Sequence, residues 1–132
     1  MNSKAKGEKT EGLILGKLLS LGHVVLMPFG NNQRYDMVID KGNGFLKIQC
    51  KTARITNGCV YFNSCSTNGF TGKTKNYRGQ IDFFVVHCPE NGEFYEVPVN
   101  DVGVKNGILR IDKPKRTEKG CQNIRWAKDY KI

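Results

Sequence analysis

Between Phe45 and Thr52 the side chains alternate: Leu46, Ile48 and Cys50 fall on one side, Lys47, Gln49 and Lys51 on the other. A period of two is the signature of a strand with one buried face. A shorter run, Asp36–Asp40, precedes it, and Lys41-Gly42-Asn43-Gly44 stands between them with two glycines able to take positive φ. The pattern predicts a hairpin over 36–52. Its apolar face can bury, and its polar face carries Gln49 and Lys51 two residues apart, beside a partner strand that begins with Asp36.

Elsewhere the period changes. Leu13, Ile14, Leu18 and Leu21 recur at helical spacing, which predicts a helix from about Thr10 to Leu21. Thr10 is the candidate N-cap, Gly22 the residue just past the end, and Gly12 and Gly16 weaken the interior. Residues 1–9 read as a frayed basic lead, and Glu11 falls in the first turn, where the helix dipole favours a surface acid. His23–Met27 is a short apolar strand ended by Pro28, followed by the polar loop FGNNQRY. Cys59–Asn63 reads as the third strand of an antiparallel run. Ser64–Gly79 reads as a long polar loop with Phe70 and Tyr77 interspersed.

The near-continuous apolar stretch of Gln80–Cys88 predicts a strand covered on both faces. Asp82 at its start reads as a structural turn or cap acid, with support of the site as the alternative, and His87, near its end, as a packed or hydrogen-bonded residue. Glu93–Val99 is a further strand with Pro98 at an edge or end, and Ile108–Ile111 a short one. Lys113–Gly120 is expected to be an exposed loop, after which Trp126 and Tyr130 fold the last residues back onto the body.

A chain of 132 residues makes one domain, spanning 1–132, with a core that needs no staples. Charge alters the picture. With 21 Lys and Arg against 12 Asp and Glu, the net charge of +9 favours polyanions. Nucleic acid is the first candidate and an anionic membrane surface the second, but no segment joins a basic face to a long apolar stripe. The five cysteines are odd in number and lack a CxxC pair, which argues against a zinc framework. Cys50, Cys59 and Cys88 lie in apolar runs and read as buried free thiols in a reducing compartment. No apolar leader or membrane-length run is present, so the expected location is cytoplasmic.

The chemistry gathers on the hairpin. A carboxylate, an amide oxygen and a lysine on neighbouring strands make a hard-cation site with a basic group beside it. Asn31, Asn32, Gln33 and Arg34 include the side-chain types that read base edges and phosphates, although such residues are also common in loops. Lys73, Lys75 and Arg78 suit the long middle loop to phosphate contacts, with a solvated insertion as the alternative.

A helix with an early Glu, a strand, a hairpin carrying Asp36 and then Gln49-Cys50-Lys51, further strands and basic loops form an order that resembles the PD-(D/E)xK nuclease superfamily. Within it the chain is most similar to the small group I intron-encoded homing endonucleases. PFGNNQRYDMVID, FLKIQCKT, YRGQIDFFVVHCPE and IRWAKDY carry the likeness, which covers most of the chain. The resemblance implies an α/β (α+β) fold, a central mixed β-sheet with flanking helices and a restriction-endonuclease-like core. It implies a site-specific, Mg²⁺-dependent endonuclease acting on the phosphodiester bonds of double-stranded DNA. It assigns Asp36 to the metal-binding aspartate, Gln49 to the (D/E) position, Lys51 to the lysine and Glu11 to an acid that the first helix directs to the metal.

Two positions depart from the pattern. Tyr35 stands where a proline is usual, and Gln49 replaces a carboxylate with an uncharged amide, as in the similar intron-encoded branch. One chain offers one such site, so cutting both strands of a duplex calls for a homo-oligomer, a dimer or a tetramer. Two other readings stay open: a structure-specific resolvase of the Holliday-junction type on the same core, and a DNA-binding module whose catalytic site has decayed.

Overall fold

The computed structural model describes residues 2–114 and 124–132. In chain order its regular elements are helix α1 (Ser3–Ser20) and strands β1 (Val24–Leu26), β2 (Met37–Asp40), β3 (Phe45–Thr52), β4 (Arg54–Thr56), β5 (Cys59–Asn63), β6 (Cys65–Thr67), β7 (Thr74–Asn76), β8 (Phe83–Cys88), β9 (Glu93–Pro98) and β10 (Asn106–Arg110). Among the described residues, two 3-10 turns, Val99–Asp101 and Ala127–Asp129, accompany them. The fold is mixed α/β around a mixed sheet, as expected, but among the described residues a single α-helix flanks it.

That helix starts earlier than its apolar spacing predicts. The Asn2 side chain accepts the Ala5 N–H at 2.8 Å and serves as N-cap, and the good helix formers Lys, Ala and Glu propagate the turns over the supposed lead. Thr10 therefore lies inside the helix rather than at its cap. Glu11 is not in the first turn, which removes the dipole argument for it. Ile14 and Leu18 are fully buried, one turn apart, whereas Leu13 and Leu21 are exposed. Gly22 takes φ +86° and ends the helix as predicted.

The central sheet has the order β1-β2-β3-β8-β9. The predicted hairpin is β2–β3, closed by the Lys41 N–H donating to the Gly44 carbonyl at 2.9 Å. Beyond β3 the expected topology changes. Cys59–Asn63 does form a strand, but β5 pairs with β4 and β10 in a separate three-stranded sheet. The second neighbour of β3 is β8, in parallel register, with Gln49 opposite Phe84 and Lys51 opposite Val86. An apolar strand needs cover on both faces, and β8 finds it at the centre of the sheet. Phe84 and Val86 enter one core cluster with Val60, Phe62 and Tyr77, while Val85 enters the other with Ile14, Leu18 and Ile48 under α1.

The supposed long loop is a two-stranded ribbon, β6–β7, instead of irregular chain. Its second strand is exposed throughout, so no apolar alternation marks it. Cys59 and Cys88 are buried free thiols, as is Cys65, and Cys50 is half-buried. His87 is packed: its Nδ1 lies 3.1 Å from the Glu93 carbonyl and its ring stacks on Phe94 at 4.3 Å. The chain end folds back, with the Tyr130 hydroxyl donating to Asp101 Oδ2 at 2.9 Å and Trp126 bridging to Arg110. Most of the expected Lys113–Gly120 loop, and Cys121, lie outside the described residues. Among the described residues no helix is long and apolar enough to cross a membrane.

Candidate active site

The site is built on one segment of β3. Asp36 immediately precedes β2; its N–H donates to the Ile48 carbonyl at 2.8 Å, and its Oδ2 accepts the Cys50 N–H at 2.9 Å. Its carboxylate is thereby held against the backbone on either side of Gln49. Register with β8 turns Gln49 and Lys51 toward the face of Phe84 and Val86, and turns Ile48 and Cys50 toward α1. Lys51 reaches further along its face. Its Nζ donates to the Cys65 carbonyl at 3.2 Å and lies 5.0 Å from the centre of the Tyr77 ring. Glu11 comes from the helix. The buried Thr10 beside it pins α1 to the end of β3 through a 2.7 Å hydrogen bond between the Thr10 and Thr52 hydroxyls.

Asp36 acts electrostatically on both Glu11 and Lys51. Burial raises the pKa of Glu11, and the Asp36 charge raises it further, followed by Glu8. Burial also raises that of Asp36, against the lowering effect of the Cys50 N–H and of Lys51. Partial burial, with the charges of Asp36 and Glu11 adding to it, pushes the Cys50 thiol well up, so that it stays protonated. Burial lowers the pKa of Lys51; Cys65 and Asp36 pull it back, and Arg34 adds to the lowering.

Two carboxylates that both resist ionisation, next to an amide, are hard oxygen donors whose negative charge is incompletely compensated. This chemistry fits a hard divalent cation. Among the described residues no three His, Cys, Asp or Glu side chains converge on a metal position. Glu11 and Asp36 would therefore need neutral oxygens, such as the Gln49 amide, beside them.

A stability consequence follows from the sign of the Asp36 shift. A raised folded pKa means that the folded state holds its proton more tightly than the unfolded chain, so stability is lost as pH rises through the folded value. Asp36→Asn removes that cost and keeps an acceptor for the Cys50 N–H. In the absence of divalent ions it is expected to melt higher than the parent at neutral pH, with the gap closing toward pH ~4, where the unfolded carboxyl protonates. Thermal melts of both proteins across this range check it; a parent that is the more stable at pH 7 contradicts the assignment of buried, uncompensated charge to Asp36.

The other candidate residues are distributed unevenly. Asn31, Asn32 and Gln33 are exposed on the loop before β2. Lys73 and Lys75 are exposed on the ribbon, and Arg78 is exposed while its Nη2 donates to the Val102 carbonyl at 2.8 Å. Arg34 differs from all of these because its guanidinium is turned into the protein. Sequence reasoning missed Tyr77 and the Cys65 carbonyl, both of which touch Lys51. A tyrosine in a polar stretch was the only available sign of the first, and a backbone carbonyl leaves none.

A search of curated proteins gives no match. Among solved structures the bacterial homing endonuclease I-Ssp6803I matches with a TM-score of 0.73 at 24% sequence identity, over 99% of this chain and 89% of that one. At that identity the likeness speaks for the fold. The family model described as PD-(D/E)XK endonuclease matches residues 1–132, the whole length that carries Asp36, Gln49 and Lys51. The chain therefore belongs to the PD-(D/E)XK endonuclease family, and is a nuclease.

Proposed function

We propose that the protein is a Mg²⁺-dependent endonuclease that cuts double-stranded DNA at specific sites, in the manner of a homing endonuclease. The observation that carries this reading is the hydrogen bond from the Cys50 N–H to Asp36 Oδ2, which fixes the carboxylate beside Gln49 and within the field of Lys51. The homing-endonuclease neighbour and the net charge of +9 support the choice of DNA.

Asp36, the Gln49 side-chain oxygen and Glu11 would hold the ion. Bound there, Mg²⁺ supplies Lewis-acid stabilisation of charge on a phosphate oxygen. The protein's own part is to position and to neutralise. Asp36, immobilised by two backbone contacts, needs no reorganisation when substrate arrives. The Lys51 ammonium, half-buried, bears on the negative charge that gathers at the reacting phosphate. Lys73, Lys75 and Arg78 contact the DNA backbone, and Asn31, Asn32 and Gln33 reach base edges. A homo-oligomer, dimer or tetramer, brings two sites to the two strands.

The test is cleavage of a pooled long-duplex DNA library with Mg²⁺, beside Lys51→Ala, followed by sequencing of the new ends. Discrete ends at one recurring, roughly symmetric sequence, missing from the Lys51→Ala lane, are expected. Retained DNA binding without any Lys51-dependent ends would sink site-specific cutting, and cleavage of four-way junctions would then be assayed.

A further inference from the structure

Arg34 entered as a loop residue of a type suited to DNA, yet its guanidinium is already occupied. Nε donates to Gln80 Oε1 at 2.7 Å and Nη1 to Ser66 Oγ at 2.7 Å, while Nη2 donates to the carbonyls of Lys75 at 3.2 Å and Asn76 at 2.8 Å. Four donor contacts leave little of a five-donor fork for a phosphate or a base. They also span the ribbon, because Ser66 belongs to β6 while Lys75 and Asn76 belong to β7.

The planar group lies 4.0 Å from the centre of the Tyr77 ring, and the Lys51 ammonium lies 5.0 Å from the same centre. Tyr77 is only 4% exposed and is braced edge-on against Phe84 at 5.6 Å. The carbonyl that accepts from Lys51 Nζ is that of Cys65, the first residue of the ribbon. Two cations would not ordinarily gather around one ring. Here the electron-rich face and a set of carbonyl acceptors offset their repulsion.

We infer that Arg34 is a positioning residue: it locks the β6–β7 ribbon to the loop before Asp36 and, through the Tyr77 ring and the Cys65 carbonyl, holds the Lys51 ammonium in place. The ribbon that carries Lys73 and Lys75 toward DNA is then mechanically continuous with the lysine of the site. Lysine cannot replace arginine here, since an ammonium has no planar fork to bridge two strands and stack on a ring. The inference rests on the reading of Lys51 as the lysine of the nuclease site.

Two measurements on Arg34→Gln and Arg34→Lys decide it, with thermal melts confirming that both variants are folded. The first needs neither DNA nor metal. Acetylation of Lys51 by an N-hydroxysuccinimide ester is followed by peptide mass spectrometry, with Lys73 as internal reference. Lys51 is expected to react several-fold faster in both variants than in the parent; a rate equal to the parent's overturns the inference. The second separates binding from chemistry. Cleavage of the pooled library at saturating protein should slow by about 10²-fold, as for a misplaced catalytic group, with DNA affinity within about threefold of the parent. Lost affinity with an undiminished rate at saturation would instead place Arg34 on the DNA and overturn the positioning role. A parent that cuts nothing counts against the proposed activity alone, because the acetylation result still decides whether Arg34 holds Lys51.

Discussion

Lys51→Ala is expected to cut DNA at least about 10²-fold more slowly than the parent at saturating DNA, the usual scale for losing a positioned charge or proton carrier. Affinity for DNA should be largely retained, because the exposed cations of the ribbon and loop are untouched. The fold should also survive. Lys51 sits in a site where burial already disfavours its charge, and its direct contacts are a carbonyl and a ring, while the Asp36 carboxylate loses a favourable nearby charge but keeps the Cys50 N–H. Single-turnover cleavage alongside a filter-binding titration makes the comparison. A variant cutting at close to the parental rate would show that the site is wrongly assigned. Asp36→Asn should lose activity to a similar degree and is the better probe at that position. Asp36→Ala would strip the acceptor from the Cys50 N–H and add a cost of about 1–3 kcal/mol to the fold.

Gly107→Ala is the substitution expected to cost most in stability. Gly107 lies in β10 directly opposite Phe62 of β5, and a Cβ at that position would meet the Phe62 ring at 2.2 Å. The ring is 1% exposed and packs edge-on against Phe84 at 5.5 Å, so it has nowhere to swing. Glycine inside a strand is ordinarily a weakness; here the aromatic ring occupies the space that a side chain would fill. Overpacking of this kind costs roughly 3 kcal/mol, a fall in Tm on the order of 10 °C for a domain of this size. Combining Gly107→Ala with Phe62→Leu should recover part of the loss, a coupling that a double-mutant cycle measures. If Gly107→Ala alone melts with the parent, Phe62 does not lie across Gly107. The effect bears on the site as well, because Phe84, the residue behind Phe62, is the register partner of Gln49.

The hairpin was legible to within one residue, since β2 begins at Met37 rather than at Asp36. Alternation marked β3 from Phe45 to Thr52, and the glycines of the turn set the pairing with β2. The same alternation separated Gln49 and Lys51 from Ile48 and Cys50, a division that the packing reproduces. The apolar run of β8 announced a strand covered on both faces, without saying which strand lay beside it. Other elements were hidden. The first turns of α1 carry no apolar signal because they face solvent, and the ribbon β6–β7 carries none because nothing buries its second strand.

By itself, then, the sequence determined those features whose cause is local: the period of a strand, the φ demanded by a turn, the excess of positive charge, and the motif that Asp36, Gln49 and Lys51 complete. Only the tertiary structure decided the rest. The parallel pairing of β3 with β8 joins residues more than thirty apart, and no local propensity encodes such a partner. The helix that carries Glu11 is set over the sheet by a Thr10–Thr52 hydrogen bond. Arg34 has the composition of a DNA ligand but the position of a structural joint. A side chain's chemistry is inherent in its type, whereas the partner that satisfies it depends on which groups the fold brings within about 3 Å.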